Sequence, residues 1–185
     1  MDIYQKIELL FRKRYEDWEG AVQFEGTSKR LRGMIEEMCW LLPRINEGLE
    51  KCFEAIFEDP YDEMLVSGPT KVWTLCPHHL VPCLFKVHIG YIPKGKVLGL
   101  SKFSRIALIL GKRPIMQEQY SRELADTLWE NLGPEGVGVS VVGSHGCLEM
   151  RGVKQDVKIS TAVLKGSFKE DHKVREEFYK IIGGW

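Results

Sequence analysis

The stretch LFKVHIGYIPKGKVLGLSKFSRIALIL, residues 84–110, decides the fold. In its first part Val87, Ile89 and Tyr91 alternate with Lys86, His88 and Gly90, so Leu84–Ile92 has the period of two that marks a β-strand with one face buried. Pro93-Lys94-Gly95-Lys96 is a turn between strands. Beyond it the period changes: Phe103, Ile106, Ala107 and Leu110 recur at helical spacing, with Ser101 the predicted N-cap. Working outward, Lys71–Leu75, Gly136–Val142 and Val157–Leu164 are rich in β-branched residues and predict further strands. Met116, Tyr120, Leu124 and Leu128 predict a longer helix stopped by Gly133, and a last helix is expected over Asp171–Ile182. Runs of strands with helices between and at the ends predict an α+β fold.

Upstream the signal is helical throughout. Ile3, Ile7, Leu10, Phe11, Tyr15 and Trp18 lie on one helical face, and Gly20 ends it. A second helix, capped by Thr27 or Ser28, runs through Leu31, Met34, Ile35 and Met38 until Pro43 interrupts it. Ile45, Leu49, Cys52, Phe53 and Ile56 form a third stripe, and Asp59-Pro60-Tyr61-Asp62 is a turn. The sequence thus predicts a helical arm over residues 1–58, whose stripes need a covering surface, and a mixed body over residues 59–185.

The chain has 185 residues, 26 Lys+Arg against 26 Asp+Glu. A neutral chain gives no case for bulk nucleic-acid or anionic-membrane binding, though it allows a local basic pocket. No apolar run approaches a membrane span. The opening residues mix charge into every turn, unlike a signal peptide, so a cytoplasmic protein is expected. Five cysteines (39, 52, 76, 83 and 147) are an odd number, which turns attention from a disulfide framework to metal or catalytic roles.

Those roles gather in Cys76-Pro77-His78-His79 and Ser144-His145-Gly146-Cys147. Zinc favours thiolate sulfur and imidazole nitrogen, and Cys76, one of the two adjacent histidines, and Cys147 make a set of three. Three protein ligands leave a position for water, the arrangement of a catalytic rather than a structural site. On a strand His145 and Cys147 share a face. Unrelated core cysteines and surface histidines would look the same from spacing alone. Two neighbouring histidines do not easily bind one ion, so the other is free for proton transfer, and His145 is a second candidate. Cys39, Cys52 and Cys83 sit in apolar settings and read as packing; His88 and His172 read as solvated. Ser101, Lys102 and Arg105 surround a helix N-terminus, where free N–H groups favour anions and phosphate above all, unless this is an ordinary capped surface helix. Gln117-Glu118 is either a solvated pair or, if buried, a reader of a base edge.

Taken in order, CPHHLVP, KVHIGYIPKGKVLGLSKFSRI, KRPIMQEQ, GVGVSVVGSHGCLEMRGV and STAVLKGSF resemble GTP cyclohydrolase I of the zinc-dependent type, over about residues 60–182. The resemblance implies zinc on Cys76, His79 and Cys147, proton transfer by His78 and His145, and Ser101 assisting near the ribose. It implies triphosphate and ribose contacts from Ser101, Lys102, Arg105 and Arg151, and guanine recognition by Gln117 and Glu118. Leu42-Pro43-Arg44-Ile45 is similar to a Pro-x-Arg-Val segment whose arginine reaches a neighbouring subunit's triphosphate, which implies that role for Arg44. The implied reaction is hydrolytic opening of the GTP imidazole ring at C8, loss of formate, ribose rearrangement and closure to 7,8-dihydroneopterin triphosphate, the first step towards folate, biopterin or deazaguanine compounds. The implied architecture is the tunnelling fold, an antiparallel sheet with helices on one side, assembled from several subunits into a β-barrel, usually a decamer with sites at subunit boundaries. The chain departs from the pattern at Pro77, where an acidic residue is common, and at Pro82-Cys83-Leu84-Phe85-Lys86, where Pro-Phe-x-Gly-Lys is usual. Two other classes compete: a zinc-stabilised interaction module, disfavoured by a three-ligand count, and a tunnelling-fold nitrile reductase with a cysteine nucleophile and NADPH, disfavoured by the paired metal motifs.

Overall fold

The computed structural model describes residues 1–183. The chain forms two compact units, the first spanning Met1–Trp40 and the second beginning at Leu41.

In the first unit, helices α1 (Ile3–Arg14) and α2 (Thr27–Met38) are joined through a 3-10 turn at Glu19–Phe24. Asp2 caps α1 and Gln5 returns a bond to the Asp2 N–H, a complete capping box. The predicted caps of α2, Thr27 and Ser28, are not used that way. Gly26 is the N-cap, in the left-handed region, and has no side chain to offer. Glu8 of α1 supplies the carboxylate instead, accepting from the N–H groups of Ser28 at 2.8 Å and Gly26 at 3.3 Å. These bonds hold the Glu8 carboxyl below its usual range. Phe11, Tyr15, Trp18 and Phe24 form a cluster of stacked, tilted and edge-on rings with centroids 5.7–6.4 Å apart.

The second unit opens with α3 (Leu42–Phe53), where Pro43 sits in the first turn and so starts this helix rather than interrupting the previous one. Ile56 does not extend the α3 stripe: β1 (Ile56–Glu58) is a strand, paired antiparallel with β4 (Lys96–Leu98). The main sheet has four antiparallel strands in the order β2 (Leu65–Leu75), β3 (Pro82–Ile92), β5 (Gly136–His145), β6 (Ile159–Gly166). β2 is longer than its apolar pattern predicts because it is bent, its register shifting between Ser67 and Thr70. Through Cys83–Ile92, β3 pairs with β5 without interruption, so Phe85, at the usual glycine position, leaves the sheet path regular.

Helices α4 (Leu100–Leu110) and α5 (Gln117–Leu132) cover one sheet face. Phe85, Val87, Ile89 and Tyr91 of β3 and Val137, Val139 and Val141 of β5 bury against Phe103, Ile106, Tyr120, Leu124 and Leu128. At roughly 1.5–3 kcal/mol for each large apolar side chain, this layer is the main source of stability. Ser101 lies inside α4, whose N-cap is Gly99, whereas Gly133 ends α5 in the predicted left-handed conformation.

Helices are not confined to one side of the sheet. Short helices α6 (Gly146–Glu149) and α7 (Ser167–Glu170) precede the last helix, α8 (His172–Gly183). Phe168 and Phe178, packed edge to face, reach the opposite sheet face at the cross-strand pair Gly90 and Gly138. A Cβ at Gly90 would lie 2.8 Å from the Phe178 ring, and one at Gly138 would lie 2.6 Å from Phe168, so only glycine seats this pair.

Candidate active site

Cys76 follows the last residue of β2, and the loop to β3 closes tightly on itself. The Cys76 N–H donates to Val81 O at 2.9 Å and the Leu80 N–H to Cys76 O at 2.8 Å, with Leu80 in the left-handed region. This turn brings His79 Nδ1 to 3.7 Å from Cys76 Sγ. Cys147 arrives from the far end of β5. It lies in α6 rather than on a strand, so it shares no strand face with His145; the chain coils immediately after His145. The ligand atoms of Cys76, His79 and Cys147 all lie within 4.8 Å of one another, a spacing that suits a single metal ion. Burial pushes the Cys147 thiol up, and a hydrogen bond with Cys76 adds to the shift. A bound cation reverses that balance by favouring thiolates.

The His78 and His79 rings are 6.3 Å apart and roughly perpendicular, so the pair does not converge on one point. His78 lines the cleft over the cluster together with Cys76, Cys83, Gln117, Glu118, His145 and Cys147. The N-terminus of α5 is brought there by Thr74 Oγ1, which donates to Arg113 O at 2.6 Å, and by the Ile115 N–H, which donates to Leu75 O. Gln117 and Glu118 then part company. Gln117 is 2% exposed and its amide nitrogen donates to Val141 O, Ile159 O and Thr161 Oγ1 at 3.0–3.1 Å. Its oxygen faces His145 Nε2 at 2.8 Å. Glu118 is exposed at the cleft, and its charge favours the protonated form of His145, against a larger opposite push from burial.

Gly143 makes the Gln117–His145 contact possible, because a Cβ there would stand 2.0 Å from Gln117 Oε1. Arg151 Nη1 donates to His79 Nε2 at 2.8 Å. Ser101, Lys102 and Arg105 lie at the start of α4, where the charges of Lys102 and Arg105 are felt by the buried thiol of Cys52 in α3. They and Arg44 are not among the residues lining the cleft. His172 is exposed, as expected, but His88 is not solvated: its ring nitrogens are buried, which lowers its pKa, and Lys86 adds to that.

Sequence reading missed Cys83 and Thr161. Cys83 is buried at 2% exposure, which fits its reading as packing, but its Sγ stands 3.5 Å from His145 Nδ1. The signal was present in the alternation, since Cys83 falls on the same face as Phe85 and Val87. Thr161 is fixed by cross-strand register and has no local signature.

Two thiols and an imidazole around one point, with acid–base groups on the rim, form the kind of centre that metal-dependent hydrolases use. The chain belongs to the GTP cyclohydrolase I family, whose sequence profile matches residues 4–183. It is 45% identical over 130 residues to GTP cyclohydrolase 1 of Homo sapiens, covering 70% of this chain and 52% of that protein. It is 38% identical over 178 residues to GTP cyclohydrolase 1 of a Synechococcus species, covering 95% of this chain and 76% of that protein. The chain thus spans about half the length of the human relative. The crystal structure of the archaeosine synthase QueF-Like in the apo form superposes with a TM-score of 0.46 at 21% identity, covering 59% of this chain and 97% of that one.

Proposed function

We propose that this protein converts GTP to 7,8-dihydroneopterin triphosphate and formate, with zinc as its metal. The observation that carries the reading is the Cys76–His79–Cys147 cluster opening onto a cleft that also holds His78, His145 and Glu118. The donor set suits zinc, because two sulfurs and one nitrogen match its preferences and three ligands leave a position open. When bound, the ion supplies a water of lowered pKa. His78 and His145 transfer protons as the imidazole ring of the base opens. Glu118 accepts from the guanine N1–H and exocyclic amine, a pattern adenine does not offer, so ATP is rejected. Gln117 acts from behind, by holding His145. Cys76, His79 and Cys147 would hold the ion, and Arg151, whose guanidinium contacts His79 Nε2 at 2.8 Å, would bind the triphosphate side. Ser101, Lys102 and Arg105 hold the triphosphate and ribose side.

We propose that a complete site takes Ser101, Lys102, Arg105 and Arg44 from another copy, a reading supported by their lying away from the residues that line this chain's cleft. We therefore read the assembly as a homo-oligomer of the tunnelling type, a decamer with shared sites, residues 59–185 carrying the chemistry and the helical arm covering neighbours. Exposed Leu41, Leu42 and Trp73 support that reading. Among the described residues no helix is long and apolar enough to cross a membrane, which is consistent with a cytoplasmic enzyme.

Incubation with GTP, followed by pterin fluorescence after oxidation and dephosphorylation, tests the activity; formate without a pterin product, or neither, overturns it. Mixing and reassembling inactive Arg44→Ala and His78→Ala chains tests shared sites, with partial recovery expected and no recovery after proven mixing refuting them.

A further inference from the structure

Under the reading just given, His145 transfers protons, which requires its ring to be held in one orientation. The surroundings fix both orientation and tautomer. Gln117 Nε2 lies 3.1 Å from Val141 O and 3.0 Å from Ile159 O, two carbonyls that only accept, so this end of the amide is its NH2. The other end is then oxygen, and it lies 2.8 Å from His145 Nε2, which must carry the ring hydrogen. A neutral imidazole has one such hydrogen, so Nδ1 is a bare acceptor. The atom facing Nδ1 is Cys83 Sγ at 3.5 Å, from the residue directly opposite His145 across β3 and β5.

We propose that Cys83 is a positioning residue for His145, its S–H donating to Nδ1 while Gln117 Oε1 accepts from Nε2–H, so that the ring is held at both nitrogens; the catalytic meaning of this rests on the proposed function. The sulfur is itself oriented. The Gly146 N–H donates to it, and its hydrogen has Nδ1 at 3.5 Å against Val81 O at 3.9 Å. Turning the imidazole over would set carbon atoms against both Gln117 Oε1 and Cys83 Sγ and lose both contacts. The Phe85 ring, with its centroid 5.8 Å from that of His145, closes one flank.

Two readouts test this on the zinc-loaded protein. The first is the long-range 1H–15N spectrum of histidine-labelled protein, with the His145 signals assigned among the five histidines by their loss in His145→Gln. A protonated Nε2 with a bare Nδ1 is expected; a protonated Nδ1 with a bare Nε2 overturns the proposal, without any variant of Cys83 and without turnover. The second is Cys83→Ala against Cys83→Ser, both checked for full zinc content. Alanine should leave Nε2 protonated, because Gln117 Oε1 still accepts from it, but shift the Nδ1 15N signal as the S–H donor is lost and lower kcat by roughly threefold to tenfold, the scale of one hydrogen bond, at unchanged KM. Serine, which donates as the thiol does, should restore kcat to within about twofold of the native value. Native kcat and spectrum in Cys83→Ala, or serine no better than alanine, refutes the role. If the native protein does not turn over GTP, the functional reading falls, and the His145 spectrum still decides the tautomer.

Discussion

Replacing Gly143 by alanine should unlock the buried contacts behind the site. The added Cβ would stand 2.0 Å from Gln117 Oε1 and 2.8 Å from His145 Nε2, both too close for carbon against oxygen or nitrogen. The strand cannot retreat, because Gly143 pairs with Phe85 on one side and Ile159 on the other. The Gln117 amide must therefore swing away, giving up the His145 bond and straining those to Val141 O, Ile159 O and Thr161 Oγ1. Two or three buried hydrogen bonds at about 1 kcal/mol each suggest a loss of about 2–3 kcal/mol. The lower chain entropy of alanine returns about 0.5–1 kcal/mol. A net loss of about 2 kcal/mol corresponds to a fall in Tm of about 4–8 °C at this chain length. Calorimetry on Gly143→Ala, Gln117→Ala and the double variant measures it. Once Gln117 is gone only the His145 contact at 2.8 Å remains, so the double variant should lose less than the sum of the two single losses, a coupling of about 1–2 kcal/mol. An unchanged Tm in Gly143→Ala, or simple additivity, would refute the reasoning.

Cys147→Ser should lose both metal and activity, and full zinc occupancy by elemental analysis would remove Cys147 from the ligand set. His78→Ala should keep its zinc while turnover falls by about 10² or more, the scale of general acid–base help; loss of the metal instead would mean that His78 and His79 have exchanged roles. In the first unit, the Glu8 carboxyl is held below its usual pKa by the N–H groups of α2, so its contribution is present above the unfolded value and is lost as pH falls through the folded one. Circular dichroism of the native protein should therefore show helix loss below about pH 4.5 that is smaller in Glu8→Gln; an identical acid profile in the two would show that the cap contributes nothing.

Much of the fold was legible because its period is local. The alternation of Val87, Ile89 and Tyr91 and the helical spacing of Phe103, Ile106 and Leu110 each need only a few residues of context. What escaped depends on partners distant in the chain. Ile56 fits the α3 stripe by spacing, and only its pairing with Leu98 makes it a strand residue. The cap of α2 comes from Glu8, far enough upstream that no capping pattern points to it. Trends in the site follow the same division. The metal set was readable from residue type and motif order, and the fold brings its three members together. Cys83 is buried in the core as its apolar setting predicts, but its contact with His145 depends on register across the sheet, and the burial of Gln117 depends on four partners that come from β5 and β6.

Strand β5 has a geometric consequence beyond any one contact. Gly136 and Gly138 lack a Cβ towards Phe168 and Ser167 on one face, and Gly143 lacks one towards Gln117 on the other. At these points the strand presents bare backbone, so Phe168 and Ser167 on one face and Gln117 on the other pack directly against the main chain. A bulkier residue there has no slack to use within its own layer; it must push two layers apart. The strand that ends in His145 is thus also the one whose thickness sets the spacing of what is stacked on it, and substitutions at 136 and 138 should be felt at the cleft although no side chain of the cleft is touched.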